Sequence, residues 1–541
     1  MKKLISILLV LLLLVGAVGC SKKNTPEKDE GSSDQVATEH FVLKNGFTDY
    51  KIVMPVNPTS VEDSAKSELL VLFEEATGII LPVISDAGLT HSADNKYLSI
   101  GNTALLESSG VEITQNGKTR NGYQISTKDK TIYIIGGSEN GVLMGTYEFL
   151  FRTLNFEQFS SDCYSLDKAV TEIPLYDFNV SDSPDFPNHK AFAGYLNRDR
   201  SLALRMWAVN QFNIEKSPPN SNGAKGHNTL EYSSVSKNKE LHPKWYSYPD
   251  NSQLCYIARG DEAERELLIQ QVVENVKITI KDEAQRDKWV LAITGEDNKS
   301  VCSCAECLEL KDKYNCNTAQ YIWFMNEVCD RTFDWLENDE EGKQYYDENF
   351  RFKTSFYEEY TETPAKYDSE TGEWVPMDES VILRDKIVGS IAPIHANFQK
   401  PITDPVNQTY YNALLKVAAV TTEMATWWYA TNFNNYMYPF DNFSAMQPSY
   451  QVLYEIGVTE FLDETQNGNN GGMTGFHMFK SYLSCRLAYD VYENQEEMTD
   501  RYFKGYFMDA AEDMRKYYDS YRNFSQIQMN SLCPGIGAIY K

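Results

Sequence analysis

Two groups of side chains in this sequence are equipped for chemistry, and they stand close together. The first is the adjacent pair Glu296 and Asp297, which follows the run Val290, Leu291, Ala292, Ile293 and Thr294 and a single Gly295. An apolar run of this length without alternation reads as a strand buried on both faces, so the two acids fall just past a strand's C-terminal end. In α/β architectures that end is where ligands and chemistry are placed, and two carboxylates there are candidates for general acid and base. The competing reading is an acidic turn, with Asp297 and Asn298 as its turn and capping residues. The second group is Cys302, Cys304, Cys307 and Cys316, in the pattern C-x-C-x2-C-x8-C. Four thiols so spaced could hold a structural zinc ion, or they could pair as one or two local disulfides in an exported protein. Either arrangement would pin the loop after Glu296 and Asp297. Neither is catalytic, and acid–base chemistry at the carboxylates requires no cofactor.

A strand end needs neighbours, and the sequence supplies a rhythm of them. Strand-like runs are expected at Lys190 to Tyr195, Met206 to Phe212, Leu254 to Ala258, Trp289 to Thr294, Phe352 to Tyr357, Ile387 to Ile394, Ala418 to Thr426 and Gly457 to Leu462, with helical patterns between them. Strands alternating with helices over residues 185–475 have the size of an α/β fold of the (β/α)8 TIM-like barrel kind. Such a barrel requires polar and aromatic residues just after the strands, and they are there. His227 and Asn228 lie in GHNT, Tyr357 and Glu359 in YEEY, and His395 and Asn397 after the expected sixth strand. Glu423 leads into TWWYATNF with Trp427, Tyr429, Asn432 and then Asn435, and the last expected strand ends in Asp463, Glu464 and Gln466.

Carboxylates, amides, histidines and tryptophans around one mouth are what sugar hydrolysis needs: two acids for the chemistry, amides and imidazoles for hydroxyls, aromatic faces for the ring. A lone His or Trp is more often a packing residue, so the repeated placement carries the argument. The leading assignment makes Glu296 the general acid, flanked by Asp297, with Glu464 as base or nucleophile and Glu423 and Glu359 in reserve. His227, Asn228, Tyr357, Glu359, His395, Asn397, Glu423, Trp427 and Tyr429 would bind the poly- or oligosaccharide. A carboxyl separation of about 5.5 Å would retain configuration and one of roughly 6.5–9.5 Å would invert it. A uronate would need a cation, and Arg198 and Arg205 are the candidates near the first two strands. The alternative of a different class is a glycan-binding protein without activity, which would carry the same aromatic mouth. A peptidase is poorly supported, since HExxH and GxSxG are both missing from the sequence.

The rest of the chain frames this region. Residues 1–19 have Lys2 and Lys3, an apolar run from Leu4 to Val15, and small residues leading to Cys20, the pattern of a lipoprotein signal peptide. Lipidation at Cys20 would anchor an exported, outward-facing protein to the membrane, and residues 20–37 read as a polar, disordered tether. Residues 38–178 alternate short strands with two amphipathic helices and read as a small α+β domain; GGSENG at Gly136 is too irregular for a nucleotide loop. Residues 476–541 read as C-terminal helices with core spacing at Phe479, Leu483, Leu487 and Val491. A net charge of −27 over 541 residues leaves no basic excess to neutralise phosphates and argues against nucleic acid as a partner.

Within residues 38–178, YLSIGNT, GYQIS, TIYIIGG and GTYEFLFRTLNF together resemble the amino-terminal domain that precedes the barrel in α-glucuronidases and β-hexosaminidases. The segments HPKWYS, QLCYI, ITGEDNKSVCSCAEC, FMNEV, WWYATNFNNYMYPFDNF and SYLSCRLAYDVYENQEEMTDRYFKGYF resemble the bacterial family known as domain of unknown function 4838. That resemblance implies a carbohydrate-active protein in which such an amino-terminal domain is joined to a glycosidase-like barrel, and it assigns no catalytic residues. By analogy with hexosaminidase and glucuronidase barrels, the general acid after the fourth strand would be Glu296. Hexosaminidases have Asp before Glu there, whereas this chain has Glu296 before Asp297, an order that argues against acetamido-assisted chemistry.

Overall fold

The structure, a computed structural model, describes residues 36–191, 193–209, 215–216, 226–432, 438–464 and 475–532. The expected signal peptide, Cys20 and most of the tether lie outside the described residues, as do Asn435 and Gln466. No helix among the described residues is long and apolar enough to cross a membrane. The fold is mixed α/β, and the chain divides into two compact units.

One unit is drawn from Glu27–Asn213, Pro393–Tyr410 and Ala425–Lys541. Its amino-terminal part is a six-stranded mixed sheet in the order Asn179–Asp182, Tyr123–Lys128, Thr131–Gly136, Tyr97–Ile100, Lys51–Met54, Val83–Ser85. Helix Ser60–Thr77 starts where the Thr59 hydroxyl accepts from Glu62 N–H and Glu62 reaches back to the Thr59 N–H, a capping box; it stops at Gly78 in the left-handed region. Its stripe of Ala65, Leu69, Leu72, Phe73 and Ala76 is fully buried in one core with helix Gly141–Leu154 and the sheet residues Ile52, Leu98, Ile125 and Ile134. The glycines of GGSENG serve packing: a Cβ at Gly136 would stand 1.9 Å from the Val142 nitrogen, and one at Gly141 2.2 Å from the Gly122 carbonyl oxygen. The same unit holds strand Asn188–Ala191 parallel to Val458–Glu464, which is followed in the sheet order by Glu423–Tyr429. Helices Phe443–Glu455, His477–Tyr489, Gln495–Phe507 and Ala511–Leu532 complete it.

The other unit is drawn from Ile214–Ala392 and Tyr411–Met424 among the described residues. Four strands run parallel here, Glu215–Lys216, Val290–Ala292, Arg351–Phe356 and Ile387–Ile391, each hydrogen-bonded to the next. Helices Glu262–Ile280 and Ala319–Asn338 supply the alternating element, the first capped by the Asp261 carboxylate on Glu264 N–H.

Three expected strands are corrected in whole or in part. The run from Leu254 to Ala258 makes a single bridge with Tyr246 and then turns, because Ala258, Arg259 and Gly260 take φ values of 45°, 51° and 75°, which no strand accommodates. Its apolar character comes from burial of Leu254, Cys255 and Tyr256 in side-chain clusters. The run from Met206 caps helix Arg200–Arg205 and turns at Trp207; its last residues, 210–212, lie outside the described residues. Ala418 to Val420, expected in the seventh strand, complete helix Gln408–Val420 instead.

Candidate active site

Strand Val290–Ala292 ends in a clamp made by the GHNT segment. Asn228 Nδ2 donates to the Ala292 carbonyl at 2.9 Å, its Oδ1 accepts from Thr294 N–H at 3.0 Å, and its own N–H donates to the Thr294 carbonyl. His227 donates its backbone N–H to the Thr294 hydroxyl, and its ring Nδ1 lies 2.8 Å from the Gly295 carbonyl oxygen. Asn228 is fully buried, so its amide acts as a piece of sheet. The His227 ring packs against Tyr357 with centroids 5.4 Å apart.

This clamp delivers donors to Glu296. Its Oε1 accepts from Leu230 N–H at 2.8 Å and from the Thr229 hydroxyl at 3.0 Å. The residue's backbone is held by Gln253, whose Oε1 accepts from Glu296 N–H and whose Nε2 donates to the Glu296 carbonyl, both at 2.9 Å. Burial raises the Glu296 carboxyl above its ordinary range, against the two hydrogen bonds and His227, which favour the charged form. Asp297 is exposed in the turn that follows. Tyr256 stacks on Tyr321 at 4.7 Å with its hydroxyl buried and unbonded, 3.6 Å from where a Cβ on Gly295 would stand.

In the other unit, strand Val458–Glu464 places Asp463 and Glu464 on opposite faces at its C-terminal end. Asp463 turns into the core, where Ser484 Oγ at 2.7 Å and the Tyr450 hydroxyl both donate to it. Burial raises its carboxyl to about 6, while burial lowers the ammonium of fully buried Lys480 to about 7. Glu464 accepts from Trp427 Nε1 at 3.0 Å, and burial raises its carboxyl to about 7 against that bond. The Trp427 indole remains 38% exposed, whereas Trp428 and Tyr429 are buried edge-on against Phe398.

The remaining candidates have other surroundings. Glu423 is the first residue of its strand and pairs with Arg351 Nε at 3.2 Å, at the ends opposite to those that carry chemistry in such sheets. Asn397 shapes a turn, its N–H donating to Asn407 Oδ1 and its Oδ1 accepting from Gln399 N–H. His395 is half-buried, and Glu359 is exposed with its carbonyl accepting from Asn317. Arg205 is held by both oxygens of Glu68. Gln253 and Tyr256 were not among the sequence candidates, although both lie in the segment QLCYI.

The cysteines gather differently from the expectation. Cys255 joins Cys302, Cys304 and Cys307, and the four sulfurs lie within 4.8 Å of one another. Cys316 is buried elsewhere, with Tyr314, Ala319 and Val381. The fourth member therefore comes from the turn at 254–258, well before the other three in sequence.

Residues 376–519 match the family described as Domain of unknown function (DUF4838). No curated protein sequence matches the chain. Among solved structures, the chain is similar to a family GH115 4-O-methyl-alpha-glucuronidase with specificity for decorated arabinogalactans, at 11% identity and a TM-score of 0.48, covering 90% of this chain and 63% of that one. It is also similar to the protein CpGH84B, at 12% identity and a TM-score of 0.46, covering 89% of this chain and 74% of that one. A GH138 enzyme targeting pectin rhamnogalacturonan II matches at 11% identity and a TM-score of 0.37, over 84% of this chain and 52% of that one. The chain thus spans less than two thirds of the glucuronidase and of the GH138 enzyme.

Proposed function

We propose that this protein is a carbohydrate-active enzyme, a glycoside hydrolase of the (β/α)8-barrel kind that cleaves a poly- or oligosaccharide by acid–base chemistry, exported and held at the cell surface by a lipid on Cys20. The observation that carries the reading is the pairing of Glu464 with Trp427: a buried carboxyl raised to about 7 in contact with a partly exposed indole. A group poised there holds its proton near neutrality and can pass it to a glycosidic oxygen, and an indole face suits a pyranose ring. Glu296, also shifted toward its protonated form by burial, is the second acid–base candidate. The Glu296 carboxylate accepts from Leu230 N–H and the Thr229 hydroxyl, and the Glu464 carboxylate from Trp427 Nε1.

The test is hydrolysis of uronic-acid and hexosamine oligosaccharides by the full chain, with Glu296→Gln and Glu464→Gln measured beside it. Loss of about 10²- to 10⁴-fold in kcat in a variant that folds normally assigns that residue to the reaction. Binding of a glycan without cleavage by the unaltered protein would replace this reading with that of a glycan-binding lipoprotein.

A further inference from the structure

We propose that Cys255, Cys302, Cys304 and Cys307 form a tetrathiolate zinc site that staples the turn at 254–258 to the loop after Glu296. All four sulfurs lie within 4.8 Å of one another, and those of Cys255 and Cys307 are 3.7 Å apart. Zinc–sulfur bonds of about 2.3 Å arranged tetrahedrally set the sulfurs about 3.8 Å apart, whereas a disulfide needs about 2.05 Å. All four are free cysteines, and each is at most 9% exposed.

The backbone around the cluster is arranged for anionic sulfur. Arg259 N–H donates to Cys255 Sγ at 3.1 Å and Tyr248 N–H to Cys302 Sγ at 3.4 Å. The φ values of 45° and 51° at Ala258 and Arg259, which prevent a strand here, bring the Arg259 amide back onto the sulfur. Such N–H donors orient thiolate ligands and stabilise their charge. Cys304 caps helix Ala305–Tyr314 and Cys307 lies in its first turn, where the helix dipole favours negative charge. On binding, each thiol forms one sulfur–zinc bond and gives its proton to water; no electron is transferred.

The staple bears on Glu296 through Gln253, which stands two residues before Cys255 and hydrogen-bonds both the N–H and the carbonyl of Glu296. The full chain, purified without reductant, chelator or metal-affinity resin, is expected to carry one zinc ion per chain by elemental analysis, with an intact mass showing all four cysteines as thiols. Cobalt(II) exchanged into it is expected to give the intense charge-transfer bands of tetrahedral thiolate coordination. Cys255→Ser is expected to lower bound zinc about tenfold or more, and Cys316→Ser to leave it unchanged. A mass lower by the hydrogens of one or two disulfides, with no bound metal, overturns the site. So does a loss of zinc in Cys316→Ser with retention in Cys255→Ser. Should Cys255→Ser fail to fold, the metal content and mass of the unaltered chain decide.

Discussion

Trp427 Nε1 donates to Glu464 Oε2 at 3.0 Å, and this bond opposes the burial that holds the carboxyl at about 7. The donor stabilises the charged form and burial the neutral one. Trp427→Phe keeps an aromatic face and removes the donor, so the Glu464 pKa is expected to climb further. If Glu464 donates the proton, activity falls as pH rises through its pKa, and the alkaline limb of the kcat/KM profile should move up by about one pH unit. A limb that stays in place removes Glu464 from the acid role.

The same burial ties Glu464 to stability. Its folded pKa lies above the ordinary 4.5, so the folded state keeps a proton that the unfolded chain has released between 4.5 and about 7. The relative stability is therefore fully present below 4.5 and is lost as pH rises through 7, by about 3 kcal/mol. Glu464→Gln has no charge to bury. It is expected to be more stable than the unaltered protein by about 2 kcal/mol at pH 8 and to lose that advantage at pH 4.5, as read from urea midpoints at both values.

How much of this was legible in the sequence depends on how local each signal is. Glu296 is legible because a buried run ending at Gly295 marks a strand's end, and His227 and Asn228 because GHNT stands out as a polar cluster; the structure joins the two segments by hydrogen bonds. Cys255 could not be grouped with Cys302, Cys304 and Cys307, since no spacing rule reaches across the intervening helix Glu262–Ile280. LCYIA reads as a strand because burial among thiols and tyrosines demands the same residue types as burial in a sheet. Glu423 falls inside the expected strand Ala418 to Thr426 because Ala418, Ala419 and Val420 look extended by composition, yet those three residues finish a helix and Glu423 begins the strand. Long-range pairings such as Glu157 with Arg501 left no trace in local pattern.

That last pairing belongs to a buried ionic group. Arg486 is held to Glu493 by two bonds of 2.8 and 2.9 Å, and Arg501 bridges Glu493 and Glu157, to which Tyr482 also donates. Removing one partner strands a buried charge, which costs far more than an exposed pair contributes. Arg486→Met is expected to destabilise by about 3–5 kcal/mol. Arg384→Met, which breaks the half-exposed pair with Asp330, is expected to change stability by less than about 1 kcal/mol. Equal effects of the two on urea unfolding would contradict the distinction.

Gln253 offers a test of Glu296 that leaves its carboxylate untouched. The buried amide satisfies the Glu296 N–H and carbonyl and also donates to Asn298 Oδ1 at 3.0 Å. Gln253→Leu fills similar space and leaves those backbone groups unpaired, at a cost of about 2–4 kcal/mol. With its backbone released, the Glu296 carboxylate moves away from Leu230 N–H and Thr229, and a proton transfer that depends on its position slows. The expected result is a fall in kcat of about 10²-fold with KM little changed, because a misplaced acid harms the transition state more than substrate binding. Gln253→Glu keeps an acceptor for the Glu296 N–H and is expected to recover part of the rate. Were Gln253→Leu to lose stability while kcat stayed intact, Glu296 would be a structural residue of the strand end, and Glu464 would stand alone as the acid–base candidate.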